Sequence, residues 1–213
     1  MAEVWSQEAY FEDGTLNEFD STTGIGLSAT EAAAMTGTYG MSVAVTDATA
    51  RYGSFTDPDA ETAVTVEFEL DPNLLTMGNN ENFNLVFGVG VFIVFLRYSA
   101  GSYQIYALAG TDAGSEQTAY YNIADEPHKI RLTWFASTGV GEDNGYMELY
   151  IDDVLKEAIV GLDTDTKSVD EIRFGSAGGL DAGTYGIFYM DDCKWSDELY
   201  PILQHNILLG SNF

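Results

Sequence analysis

The sequence predicts an all-β protein, a two-sheet antiparallel sandwich. Three observations carry the prediction. Apolar residues recur at every second position in several runs, Gly, Asn and Asp clusters separate those runs, and almost no stretch has helical spacing.

In chain order, strands are expected at 38–45 and 50–55, then at "TAVTVEFEL" (62–70). There Val64, Val66, Phe68 and Leu70 take one face, while Thr65, Glu67 and Glu69 take the other, which is read as a solvated face. Strands follow at 83–88 and 91–98. The run "VGVFIVFL" (89–96) has the length of a strand buried on both faces. "SAGS" (99–102) reads as a tight hairpin into a strand at 103–109, and another follows at 117–121. "HKIRLTWF" (128–135) alternates Ile130, Leu132 and Trp134 with Arg131 and Thr133, and "YMELYID" (146–152) alternates Met147, Leu149 and Ile151 with Glu148 and Tyr150. Strands at 154–159 and 169–175 precede the last run, "GIFYMDDCKW" (186–195). Only 28–36, with Ser28 or Thr30 as a cap, and 71–77 could hold helix.

With 213 residues the chain suits one domain, residues 1–195, large enough to bury roughly 70% of its unfolded surface. Residues 196–213 form a separate arm, because Pro201 interrupts any continuing strand. Its apolar residues Leu199, Ile202, Leu203, Ile207, Leu208, Leu209 and Phe213 pack on this domain or on a neighbouring subunit.

In an unbroken final strand Ile187, Tyr189, Asp191, Cys193 and Trp195 share one face, apolar but for one carboxylate. A buried carboxylate needs a cation or several hydrogen bonds. Asp191 therefore meets a positive partner, or sits at a bulge accepting backbone N–H groups, or faces water.

Acidic residues number 34 against 8 basic ones, a net charge of −26, which argues against nucleic acid and anionic membranes as partners. No apolar run approaches the ~20 residues of a membrane span, so membrane insertion is not expected. The start "MAEVWSQEAYFEDG" has neither the basic nor the apolar region of a Sec signal peptide. Cys193 is the only cysteine, so it reads as an inert core thiol.

The order "FEDG" (11–14), "GTYGMSVAV" (37–45), "EPHKIRLTW" (126–134), "GYMELYIDD" (145–153), "VDEIRFG" (169–175) and "GTYGIFYMDD" (183–192) resembles the concanavalin A-like lectin/glucanase superfamily, nearest its laminin-G-like jelly rolls of microbial and phage proteins. The resemblance covers roughly residues 8–195. It implies a jelly-roll sandwich and a structural Ca²⁺ held by Glu12, Asp13, Asp191 or Asp192. A second acidic loop, "DTDTKSVD" (163–170), offers Asp163, Asp165 and Asp170 but lacks the glycine and glutamate of an EF-hand.

Catalysis is not expected. Glucanases of the superfamily carry E-x-D-x-x-E on one strand, whereas "EFDSTT" has Glu18 and Asp20 but Thr23 in the last place. Neither His128 nor His205 has a nucleophile setting. Among the 13 tyrosines, Tyr103, Tyr106, Tyr146 and Tyr150 are the candidates for stacking on sugar rings. The sequence thus points to a non-catalytic structural or binding protein of an assembly. A virion decoration, fibre or tail-associated protein comes first, self-associating and recognising glycans, on a virion or an extracellular surface. A secreted carbohydrate-binding module, a degenerate glucanase-like domain and a surface filament or adhesin subunit are the alternatives.

Overall fold

The computed structural model describes residues 5–56 and 58–197. Its strands form two antiparallel sheets of eight. Sheet A runs in the order β14 (Val154–Leu162), β13 (Gly145–Ile151), β12 (His128–Phe135), β6 (Ala63–Asp71), β16 (Gly186–Ser196), β4 (Gly40–Val45), β3 (Leu27–Thr30), with β1 (Gln7–Ala9) beside β16. Sheet B runs β10 (Ser115–Gln117), β9 (Ser102–Gly110), β8 (Phe92–Ser99), β7 (Asn82–Gly88), β15 (Ile172–Gly178), β5 (Arg51–Phe55), β2 (Ser21–Thr23), with β11 (Tyr121–Ile123) beside β9. The chain repeatedly changes sheet between successive strands, as from β4 to β5, β6 to β7 and β15 to β16. The result is the predicted jelly-roll sandwich.

The alternating apolar residues face inward and meet between the sheets. Phe68 of sheet A lies edge-on to Phe174 of sheet B with ring centroids 6.0 Å apart, and Phe55, Phe19 and Phe11 continue the aromatic cluster. Each fully buried side chain of this kind contributes about 1.5–3 kcal/mol of hydrophobic stabilisation. Gly53 is a glycine because of this packing: a Cβ there would stand 2.1 Å from the Phe19 ring.

The "SAGS" hairpin forms as expected. Ser99 pairs with Ser102, and Ala100 and Gly101 take φ of 51° and 86°, the left-handed pair a two-residue turn requires. Segment 28–36 departs from expectation. It completes β3 and keeps only one 3-10 turn, Glu31–Ala33, because the edge of β4 captures its backbone. No helix forms at 71–77 either. In β8, Phe92, Val94 and Leu96 are buried while Ile93 and Phe95 remain half-exposed, so this run packs on one face rather than two.

The final strand does not keep one alternation. Asp191 pairs with Glu69 and Lys194 with Glu67, so β16 advances three residues against two, and Asp192 takes a φ of 48°. This bulge reverses which side chains face the core. Phe188 and Met190 are core residues before it, Cys193 and Trp195 after it, while Ile187 is exposed and Tyr189 half-buried. The face predicted for Ile187, Tyr189, Asp191, Cys193 and Trp195 is therefore split in two. The arm residues Leu199, Ile202, Leu203, Ile207, Leu208, Leu209 and Phe213 lie outside the described residues.

Candidate functional site

The outer face of sheet A, turned away from the core, is where polar chemistry concentrates. Register places its residues in rows. One row reads Glu8, Lys194, Glu67, Arg131, Tyr150 across β1, β16, β6, β12 and β13. The next reads Ser196, Thr65, Thr133, Glu148, and the one beyond it Ala63, Phe135, Tyr146. Neighbouring strands stand ~4.8 Å apart, so acid and base alternate at contact distance along the first row.

Glu67 is the hub. Only 4% exposed, it lies 3.2 Å from Lys194 Nζ, 3.6 Å from Lys129 Nζ and 3.6 Å from Arg131 NH1. Three of the chain's 8 basic residues thus surround one carboxylate. The expectation of a solvated face at Thr65, Glu67 and Glu69 is overturned for Thr65 and Glu67, which are both buried. Pairing with a cation on each side is what makes that burial tolerable.

The turn from β13 to β14 braces the cluster. Asp152 and Asp153, at φ of 53° and 60°, form a two-residue hairpin. Asp153 Oδ1 holds Lys129 Nζ at 2.9 Å. Asp152 Oδ2 is 2.9 Å from His128 Nδ1, and His128 Nε2 accepts the Ala124 N–H, which leaves Nδ1 to donate to Asp152. Burial pulls the Lys129 pKa down, but the Asp153 hydrogen bond and the Glu67 charge outweigh it and raise it overall.

Of the four predicted tyrosines, two reach this face. The Arg131 guanidinium lies 4.3 Å over the Tyr150 ring, and the Tyr150 hydroxyl donates to Glu148 Oε2 at 2.8 Å. Tyr146 stacks on Phe135 at 5.5 Å. Burial first and Glu148 second push both phenols up to about 12. Tyr103 is instead a core residue whose hydroxyl donates to the Leu75 carbonyl at 2.6 Å. Tyr106 lies on sheet B, stacked on Phe95 at 4.5 Å. The four do not form one site.

The Tyr146 hydroxyl is buried with no hydrogen-bond partner among the described residues, and Glu67 Oε2, equally buried, has Lys129 and Arg131 at 3.6 Å. Sequence reasoning missed Glu67, Lys129, Arg131, Glu148 and Lys194 because register, not spacing, brings them together. The one legible signal was two of the eight cations within "HKIRL".

Three of the four residues predicted to hold Ca²⁺, Glu12, Asp191 and Asp192, meet one loop, residues 35–38. Asp191, fully buried, gives Oδ2 to the Met35 and Thr36 amides at 2.8 and 3.0 Å and Oδ1 to the Asp192 amide at 2.9 Å. Burial raises its pKa against the opposing pull of these N–H groups. Asp192 accepts the Thr36 hydroxyl at 2.9 Å, and Glu12 accepts the Thr38 amide at 2.9 Å on each oxygen. Asp13 closes its own turn on Thr15. As arranged, their oxygens accept amide and hydroxyl groups of the chain. Among the described residues, the acidic side chains that converge are Asp112, Asp163 and Asp165, with ligand atoms within 4.8 Å of one another. Asp170, predicted with that loop, instead accepts the Ala60 amide.

No protein-family model matches the chain, and no curated protein matches it. Solved structures do. The receptor-binding domain of botulinum neurotoxin type G aligns with a TM-score of 0.60 at 14% identity over 93% of this chain and 49% of that one. The serotype D ligand-binding domain in complex with N-acetylneuraminic acid aligns at 0.55, 11% identity, 95% of this chain and 45% of that one. The cellulose-induced protein Cip1 aligns at 0.63 and 12% identity over 92% of this chain and 98% of that one. This chain spans about half the length of the toxin domains it matches. Such likenesses establish the jelly-roll sandwich fold.

Proposed function

We propose that the protein is a non-catalytic glycan-binding module working within a larger assembly, of the kind that decorates a virion, a fibre or a cell surface. The observation that carries the glycan reading is the outer face of sheet A, where a row of acids, bases and a phenol, Glu8, Lys194, Glu67, Arg131 and Tyr150, crosses five strands. Sugar hydroxyls both donate and accept, which is what such a row of acids, bases and phenols can satisfy. A flanking ring is present too, since Lys194 Nζ lies 5.0 Å over Trp5.

The similar structures, receptor-binding domains and one complex with N-acetylneuraminic acid, agree with a binding role. A non-catalytic role is supported by how the carboxylates are spent. Glu67 is held by three cations, while Glu18 and Asp20 of "EFDSTT" accept the amides of Phe11 and Thr56. The assembly role rests on the apolar residues of 199–213 in the sequence.

A glycan array probed with the full-length chain tests the binding role. Binding is expected, and Glu67→Ala in a chain that still folds is expected to abolish it. Silence across neutral and acidic glycans alike would refute the reading.

A further inference from the structure

We propose a second binding site, built around Arg97 on the outer face of sheet B, that takes sugars bearing a carboxylate. It is separate from the outer face of sheet A and does not depend on it. Of the chain's four arginines, Arg51 meets Asp47 at 2.7 Å, Arg131 meets Glu67 at 3.6 Å and Arg173 meets Glu171 at 2.8 Å. Arg97 meets no carboxylate among the described residues, in a chain with 34 acidic side chains. Neutral groups hold its guanidinium instead. It donates to Gln104 Oε1 and, at 2.6 Å, to Asn80 Oδ1, and it lies 4.3 Å from the centroid of the Tyr120 ring. The charge is thereby fixed in place without being cancelled. These bonds use NH1 and NH2 once each, so further N–H donors remain for a carboxylate.

The surroundings suit a sugar ring. Register sets Asn82, Arg97, Gln104 and Asn122 in one row across β7, β8, β9 and β11, and Asn84, Phe95 and Tyr106 in the next. Neither row contains an acid. Amide side chains both donate and accept, as sugar hydroxyls do. Tyr120 adds apolar ring surface. It turns outward because its neighbours are pinned: the Ala119 amide donates to Glu157 Oε2 at 2.8 Å, and Tyr121 enters β11. Tyr120 stays 46% exposed while meeting Tyr106 edge to face, with centroids 4.9 Å apart, so the platform is both reachable and braced. The acids nearby do not compete for Arg97. Glu157 also accepts the Tyr121 hydroxyl, and Glu171 is spent on Arg173. A carboxylate on a sugar seated at Tyr120 would gain an unshared cation, whereas a neutral sugar gains nothing from that charge.

Calorimetric titration of the full-length chain with glucuronic acid and N-acetylneuraminic acid, beside glucose and N-acetylglucosamine, tests the site. The sugar acids are expected to bind about tenfold or more tightly than the neutral sugars. Arg97→Gln is expected to weaken the acids about tenfold. Arg173→Gln removes the same charge from the same face, but one already held by Glu171, and is expected to leave them within about twofold. Tyr120→Ala keeps Arg97 and is expected to weaken the acids about fivefold with the melting temperature maintained. Should Arg97→Gln fail to fold, Arg97→Lys, which keeps the charge and loses the planar fork, takes its place with a loss of about fivefold expected. Equal losses in the Arg97 and Arg173 variants would reduce the effect to general attraction and overturn the site. So would neutral sugars binding as tightly with the same dependence on Arg97, or silence from both sugar acids, whether or not a glutamate-rich peptide binds. Each of these outcomes leaves the reading of sheet A standing.

Discussion

The carboxylate of Asp191 accepts the backbone N–H of Met35 at 2.8 Å, a bond that joins residues 156 positions apart in the chain. The same oxygen takes the Thr36 amide, and the other takes Asp192. Asp191→Asn would turn an amide N–H₂ towards at least one of these donors. A loss of about 1–3 kcal/mol is expected, measured by urea unfolding. An unchanged midpoint would mean that the clamp contributes nothing.

Tyr146→Phe is expected to be neutral for stability or to raise it by up to about 1 kcal/mol. The hydroxyl is buried without a partner, so deleting it removes a desolvation cost and keeps the stack on Phe135. Thermal unfolding of the two chains checks it. A marked loss of stability would show that the hydroxyl is bonded in the folded protein.

Stability is expected to rise as the pH falls through the raised values of two buried carboxyls. Burial raises the Asp191 and Glu69 carboxyls above their ordinary 3.8 and 4.5. The folded chain therefore holds these protons more tightly than the unfolded one. The stability they contribute is complete below the ordinary values and is lost as the pH climbs through the raised ones. Glu171, lowered first by its Arg173 hydrogen bond, works in the opposite sense and loses its contribution in acid. A melting temperature that rises by a few degrees and then falls on further acidification is the expected profile.

Calcium chelation is expected to leave the Asp191 clamp closed, since three backbone amides meet its oxygens. Hydrogen exchange at Met35 and Thr36 reports on this directly. Protection that persists in excess chelator is the expected result, and faster exchange would place an ion at the clamp.

Much of the sandwich was legible because period two is a local property. The strands around 62–70, 128–135 and 146–152 stand where Val64 to Leu70, Ile130 to Trp134 and Met147 to Ile151 alternate. The short strands β1, β2 and β3 were not, since three or four residues hold too few apolar positions to show a period. The candidate site was less legible still. Tyr146 and Tyr150 were named for their type, but Glu67 meets Lys194 only because a bulge at Asp191–Asp192 resets the register. Glu67 and Glu69 on their own look like an ordinary wet face. Asp191 likewise looked short of a cation, because the loop whose amides satisfy it lies more than 150 residues away.

Gathering Lys129, Arg131 and Lys194 about one glutamate leaves five of the 8 basic residues to the remainder of a molecule with 34 acidic ones. Two copies approaching by almost any other side meet as like-charged colloids. Close association should thus depend on ionic strength, tightening as salt shortens the reach of that repulsion to within about 10 Å. A lattice of such subunits would behave as a salt-gated material, coherent in brine and loosened by dilution.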